Sequence, residues 1–204
     1  MYLLVGLGNP GKKYEYNRHN IGYLTIDNLL SCAGENTERK KFNSILYEIK
    51  INNQKVLLAK PQTYMNNSGE PINKLINFYK IPSNNVFVFH DELDIPFGNI
   101  RLKKGGGNAG HNGLKSLVNH LKNDFIRVRI GIGHPGSKEL VSNYVLSNFS
   151  SNEKKSLNTI LSYISSNINK IINEKEQFKI QFILNSDKVE DKISPFKKII
   201  NIFK

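Results

Sequence analysis

The 204 residues carry 29 Lys and Arg against 17 Asp and Glu, a net charge of +12, with 39% hydrophobic residues and one cysteine. That length suits one domain, the apolar share suffices for a core, and no run of about 18 apolar residues offers a membrane span. Cys32 alone excludes an intramolecular disulfide, no secretory signal is expected from the N-terminal residues, and a reducing, cytoplasmic setting is expected. The basic balance suits a polyanion such as nucleic acid. The lysine-, asparagine- and isoleucine-rich, arginine-poor composition fits a general compositional drift equally well, so charge gains meaning only beside a site.

In chain order, Leu3-Leu4-Val5 reads as a short buried strand. Residues 20–31 read as a helix with Tyr23, Ile26, Leu29 and Leu30 on one side. Residues 44–50 and 55–59 read as strands joined at Asn52-Asn53. Residues 68–80 read as a helix through Ile72, Leu75, Ile76 and Tyr79, with Asn67 as its cap and Glu70 three residues on. Val86-Phe87-Val88-Phe89 has the continuous apolar character of a central strand covered on both faces. A strand at about 98–103, a helix through Leu114, Leu117, Val118 and Leu121, and a strand over 125–133 follow. A single long helix is expected after Ser150, where Glu153 completes a capping-box pattern and Leu157 to Ile172 supply one apolar face. The alternation of strands and helices predicts one compact α/β domain with a mixed, twisted sheet flanked by helices, over residues 1–184, and a basic tail of unassigned role over 185–204.

The unusual polar segments follow the strands: 6–20, 60–69, 90–94 and 131–136. Ligands of open α/β sheets bind beyond the carboxyl ends of the strands, so these segments are expected to share one crevice, with His19, Asn66 and Asp91 as neighbours. Gly6-Leu7-Gly8-Asn9-Pro10-Gly11 has dinucleotide-fingerprint spacing, but Pro10-Gly11 is turn chemistry and no acidic residue ends a second strand at the required distance. A tight strand exit that aims Asn9 into the crevice is the simpler reading. His19 stands where a helix begins, whose dipole would help keep the imidazole neutral and able to accept a proton. Asp91 is its candidate orienting carboxylate and His90 the rival base. The five histidines show no zinc-ligand spacing and no Gly-x-Ser-x-Gly elbow occurs, so no metal, cofactor or covalent nucleophile is expected and histidine-activated water remains. The asparagines of these segments can hold a peptide group or an oxyanion, though asparagine is common throughout the chain. Residues 103–113, basic and glycine-rich, read either as a phosphate cradle at a helix N-terminus or as a flexible connector.

Six segments occur in order: GLGNPGKKY from Gly6, RHNIG from Arg18, KPQTYMNNSG from Lys60, HDELDIPFG from His90, GGGNAGHNGLKSL from Gly105 and RIGIGHPG from Arg129. Together they closely resemble the bacterial-type peptidyl-tRNA hydrolase family, over roughly residues 1–180. The resemblance implies a metal-free, monomeric esterase that releases tRNA from aborted translation. It implies His19 as general base, Asp91 as its orienting partner and Asn9 as the residue that tells a blocked peptidyl group from a free amine. It implies Asn66 and Asn112 as substrate-binding amides, Tyr14 and Tyr64 as aromatic or tRNA-contacting positions, Met65 as a crevice wall, and Lys103, Lys104, Arg129 and Lys138 as phosphate contacts. Asn17 stands where the family pattern has threonine, and a local hydrogen bond is expected for it. A non-catalytic RNA-binding relative would keep the groove and lose the hydrolysis.

Overall fold

The computed structural model describes residues 1–34, 36–173 and 179–180. Its strands are β1 Tyr2–Gly6, β2 Glu38–Lys41, β3 Ser44–Ile51, β4 Gln54–Pro61, β5 Val86–Glu92, β6 Ile100–Lys104, β7 Ile126–Gly131 and β8 Lys179–Ile180. Its helices are α1 Ile21–Cys32, α2 Gly69–Tyr79, α3 Asn112–His120, α4 Val141–Val145, α5 Ser151–Ser166 and α6 Ile168–Asn173. One sheet runs in the order β2-β3-β4-β1-β5-β7-β6-β8. The pairs β1–β4, β1–β5 and β5–β7 are parallel, and the flanking pairs are antiparallel. The expected mixed α/β domain is what the chain forms.

The parallel strands are apolar on both faces because each face carries helices. Leu4, Phe87, Phe89 and Val128 pack with Ile26 of α1, Ile160 and Ile164 of α5 and Ile171 of α6. Leu3, Val5, Val88 and Leu57 pack with Ile72 and Leu75 of α2 and Leu114 and Leu117 of α3. Side chains alternate between faces along a strand, so neighbours in sequence serve opposite cores. The hairpin between β3 and β4 turns at Asn52-Asn53, both with positive φ (47° and 61°), a backbone that asparagine tolerates well.

Several expectations needed correction. The long C-terminal helix is two helices: at Asn167 (φ −105°, ψ 9°) the chain leaves helical geometry. The Asn167 side chain donates to the Tyr163 carbonyl (2.9 Å), and the apolar face resumes at Ile168 and Ile171. Asn67 does not cap α2. It lies in a 3-10 turn, and the amide of Gly69 donates to Ser116 Oγ of α3 instead (2.9 Å). The edge strand β2, sequence Glu-Arg-Lys-Lys, has no apolar alternation to reveal it. The short helix α4 was also unforeseen. The tail at 185–204 lies outside the described residues.

One close approach places the site. A Cβ at Gly22 would collide with the backbone of Leu7, at the exit of β1, and with the Phe89 carbonyl of β5. The hydrogen bonds Leu7 N to Phe89 O (3.0 Å) and Tyr23 N to Leu7 O (3.2 Å) seal that junction. The start of α1 thereby lies directly over the end of β5. Gly22→Ala is expected to cost about 1–3 kcal/mol in urea unfolding. Gly107→Ala, where a Cβ meets nothing within 4 Å, is expected to stay within about 0.5 kcal/mol of the parent.

Candidate active site

The four segments predicted to converge do so, because β1, β4, β5 and β7 are parallel and end on one side. A cleft of about 790 Å³ opens there, lined by Asn9, His19, Tyr64, Met65, Asn66, Asp91, His111 and Asn112, with Lys138, Ser142 and Leu146 across from them. Asp91 is the next-to-last residue of β5 and is 3% exposed. His19 sits in a 3-10 turn, Arg18–Asn20, that leads into α1. Its Nδ1 lies 2.9 Å from both carboxylate oxygens of Asp91. An ionised carboxylate only accepts, so Nδ1 carries the proton and Nε2 keeps a lone pair. Burial pulls the His19 pKa down, but the charge and hydrogen bond of Asp91 outweigh it, and the net direction is up from the ordinary 6.5. The helix dipole expected to keep this imidazole neutral does not decide the sign. Burial would also push the Asp91 carboxyl up; His19 and His111 hold it well below the usual carboxylate range.

His90, the rival base, is 1% exposed and does not line the cleft. Its Nδ1–H donates to the Asp91 carbonyl (2.7 Å), and burial pushes its pKa down to about 3.

Asn9 is buried and locked. Its amide donates to Asn20 Oδ1 (2.8 Å), and Asn20 Nδ2 donates back to its carbonyl (3.0 Å). Met65 N–H donates to Asn9 Oδ1 (2.8 Å). With the oxygen so engaged, the amide nitrogen is the end left for the cleft. Asn66 and Asn112 are exposed on the cleft wall, at a 3-10 turn and at the first residue of α3. Tyr14 and Tyr64 meet edge to face at 6.4 Å, with Tyr64 58% exposed at the cleft and Tyr14 behind it. Lys103, Lys104 and Lys138 are exposed, and Arg129 Nε donates to Glu92 Oε2 (2.8 Å).

The glycine-rich loop is not a free connector. Arg127 straps it, donating to the carbonyls of Gly106 (2.8 Å) and Gly107. The N-terminal amides of α3 are already occupied: Gly113 and Leu114 donate to His111 Nδ1 at 3.1 and 3.3 Å. His111 Nε2 reaches Asp91 Oδ1 at 3.0 Å.

His19, Asp91 and His111 form the one grouping of metal-ligand composition among the described residues, with donor atoms within 4.8 Å of one another. Short contacts from His19 Nδ1 and His111 Nε2 to the Asp91 carboxylate also suit a hydrogen-bonded group, with His111 Nδ1 facing the backbone amides of Gly113 and Leu114.

Residue-type reasoning does not single out Arg18. It is 7% exposed and holds the His19 turn from behind. Its guanidinium donates to Ser147 Oγ (2.7 Å), the Asn148 carbonyl (2.7 Å) and both oxygens of Glu153 (2.9 and 2.8 Å), and lies 4.3 Å from the Tyr144 ring centre. Asn17 adds a bond from Nδ2 to Asn148 Oδ1 (2.8 Å), a partner far along the chain rather than the local one expected.

A model of the family described as peptidyl-tRNA hydrolase matches residues 3–192. The chain belongs to the peptidyl-tRNA hydrolase family. A peptidyl-tRNA hydrolase of Beijerinckia indica is 52% identical over 167 residues, 82% of this chain and 84% of the relative. One of Ehrlichia ruminantium is 49% identical over 180 residues, 88% of this chain and 92% of the relative. The crystal structure of peptidyl-tRNA hydrolase from Acinetobacter baumannii superposes with a TM-score of 0.79 at 39% identity, covering 88% of this chain and 96% of that one. Such likeness establishes the family fold on which the His19–Asp91 cleft is built.

Glu153 provides a pH test of the Arg18 anchor. Burial pushes its carboxyl up, but the Ser150 amide and hydroxyl and Arg18 outweigh this and hold it below the ordinary 4.5. A depressed folded pKa stabilises above the unfolded value and is lost as pH falls through the folded one. Glu153→Gln keeps the helix cap and removes the charge. It should lower the melting temperature at neutral pH, and the gap to the parent should close as pH drops below 4.5.

Proposed function

We propose that this chain hydrolyses the ester joining a peptide to the terminal ribose of tRNA, releasing peptide and free tRNA. The observation that carries the reading is a carboxylate-held imidazole whose lone-pair nitrogen is left for an amide-rich cleft, in a chain of this family. His19 Nε2 takes a proton from water as the water oxygen attacks the ester carbonyl carbon. Asp91 stabilises the imidazolium that forms, and its bond to Nδ1 keeps the ring in the working tautomer. The carbonyl oxygen becomes an oxyanion, and the Asn9 amide nitrogen, aimed by the Met65 N–H on its other end, supplies a fixed donor. Collapse breaks the bond to the ribose oxygen, which takes the proton back from His19.

Asn66 and Asn112 hold the amide groups of the peptide, with Met65 as an apolar wall. Asn9 tells the blocked peptidyl group from a free amine: a site built for a neutral amide leaves a free aminoacyl ammonium poorly paired and rejects it. Tyr64, with Tyr14 behind it, stacks the terminal adenine at the mouth. Lys103, Lys104, Lys138 and Arg129 meet phosphates, with Arg129 steadied at Nε by Glu92. No helix of the described residues is long and apolar enough to cross a membrane. The chain works as a monomer in the cytoplasm, drawn to its polyanionic substrate by a net charge of +12.

The test compares N-acetyl-aminoacyl-tRNA with unblocked aminoacyl-tRNA, for the parent and for His19→Asn. The parent should hydrolyse the blocked substrate alone, with kcat/KM falling as salt rises. His19→Asn should lose about 10²–10⁴-fold in kcat and still bind tRNA. Full activity in that variant removes His19 from its role, and absence of hydrolysis in the parent removes the enzyme reading.

A further inference from the structure

We infer that His111 is a positioning residue that lets helix α3 set the proton arrangement of the His19–Asp91 pair, an inference that rests on the proposed role of His19. An imidazole has two nitrogens, and both of these are assigned by their partners. Nδ1 lies 3.1 and 3.3 Å from the backbone N–H groups of Gly113 and Leu114. Two donors facing Nδ1 require a lone pair there, so the ring proton of the neutral imidazole is on Nε2. That Nε2–H points at Asp91 Oδ1 across 3.0 Å. The N-terminus of α3 thus dictates a tautomer, and the tautomer delivers a proton donor to a carboxylate on a different element.

Two effects follow at Asp91. Its Oδ1 is held by donors from two sides, so the carboxylate presents both oxygens to His19 in one orientation. The second donor also compensates part of the negative charge that raises the His19 pKa. A general base works best when its pKa lies near the working pH. A buried carboxylate with His19 as its sole donor would hold that imidazole protonated further into the neutral range, and His111 limits the rise.

The surroundings leave His111 as the controllable group. Asp91 faces His19 from the turn before α1 and His111 from the start of α3. The His111 ring lies 4.8 Å from the His19 ring and 5.1 Å from that of His90, whose own proton is held by a backbone carbonyl. Arg127 is strapped to the glycine loop, Glu92 is bound by Arg129, and Arg18 is bound to Glu153 on the far side of the turn. Asp94, His134 and Lys138 are exposed and line the cleft.

His111→Asn separates the two jobs of the ring, because asparagine is a strong helix N-cap but, once its oxygen caps α3, is too short to carry a donor to Asp91. The variant should melt close to the parent with an unchanged KM. The acidic limb of its kcat/KM profile on N-acetyl-aminoacyl-tRNA should move to higher pH by about one unit, the size one charge-assisted hydrogen bond can impose. In the parent, ring-nitrogen NMR should show His111 as the neutral Nε2–H tautomer, a readout independent of activity and of the variant's folding. A His111 ring protonated on Nδ1, or a variant profile that superimposes on the parent, overturns the inference. Either result alongside an inactive His19→Asn leaves the base assignment standing; an active His19→Asn removes that assignment whatever His111 does.

Discussion

The site depends on one buried negative charge. Asp91 is 3% exposed at the end of a strand whose every residue is buried, where an unpaired carboxylate would be costly. Two imidazoles compensate it. The same contact that makes the charge tolerable orients His19 and raises its affinity for a proton, so stability of the carboxylate and readiness of the proposed base are a single arrangement. The elements around it serve to deliver those two rings: the junction at Gly22 brings in the turn with His19, and α3 brings in His111.

The sheet explains why the parts meet at all. Four parallel strands ending on one side place the exits of β1, β4, β5 and β7 together, and each exit contributes what its loop carries. Asn9 arrives from β1, Met65 and Asn66 from β4, and Asp91 from β5 itself, while the chain after β7 closes the cleft with Lys138 and Leu146. The Arg18–Glu153 pair ties the same turn to the start of α5. The site is therefore braced on one side by the helices of one sheet face and on the other by α3.

Much of this was legible in the residues. The apolar run Val86–Phe89 announced a central strand, and a polar His-Asp pair at its end announced a site. The tight turn after β1 and the asparagines near Met65 were visible for the same reason: polar residues placed where strands end. What stayed hidden was contact between distant segments. Glu153 read as half of a capping box, which it is, but its second partner Arg18 is 135 residues away. His111 was weighed as a metal ligand by spacing, whereas its role comes from standing immediately before a helix, a cap position where Ser, Thr, Asn or Asp is the usual choice. A histidine at such a position was the available signal. The strand Glu38–Lys41 and the break at Asn167 were hidden because charged edge residues and a polar residue within an apolar stripe leave hydrophobic periodicity unchanged.

The most direct measurement is the pH dependence of kcat/KM on N-acetyl-aminoacyl-tRNA for the parent and Asp91→Asn. If the buried carboxylate holds the base, the parent should lose activity as pH falls through a value above 6.5, with His19 protonated below it. Removing the charge should move that limb to lower pH while the plateau rate drops, because the imidazolium is no longer stabilised. A limb at the same pH in both proteins, or a plateau untouched by the substitution, would contradict the account.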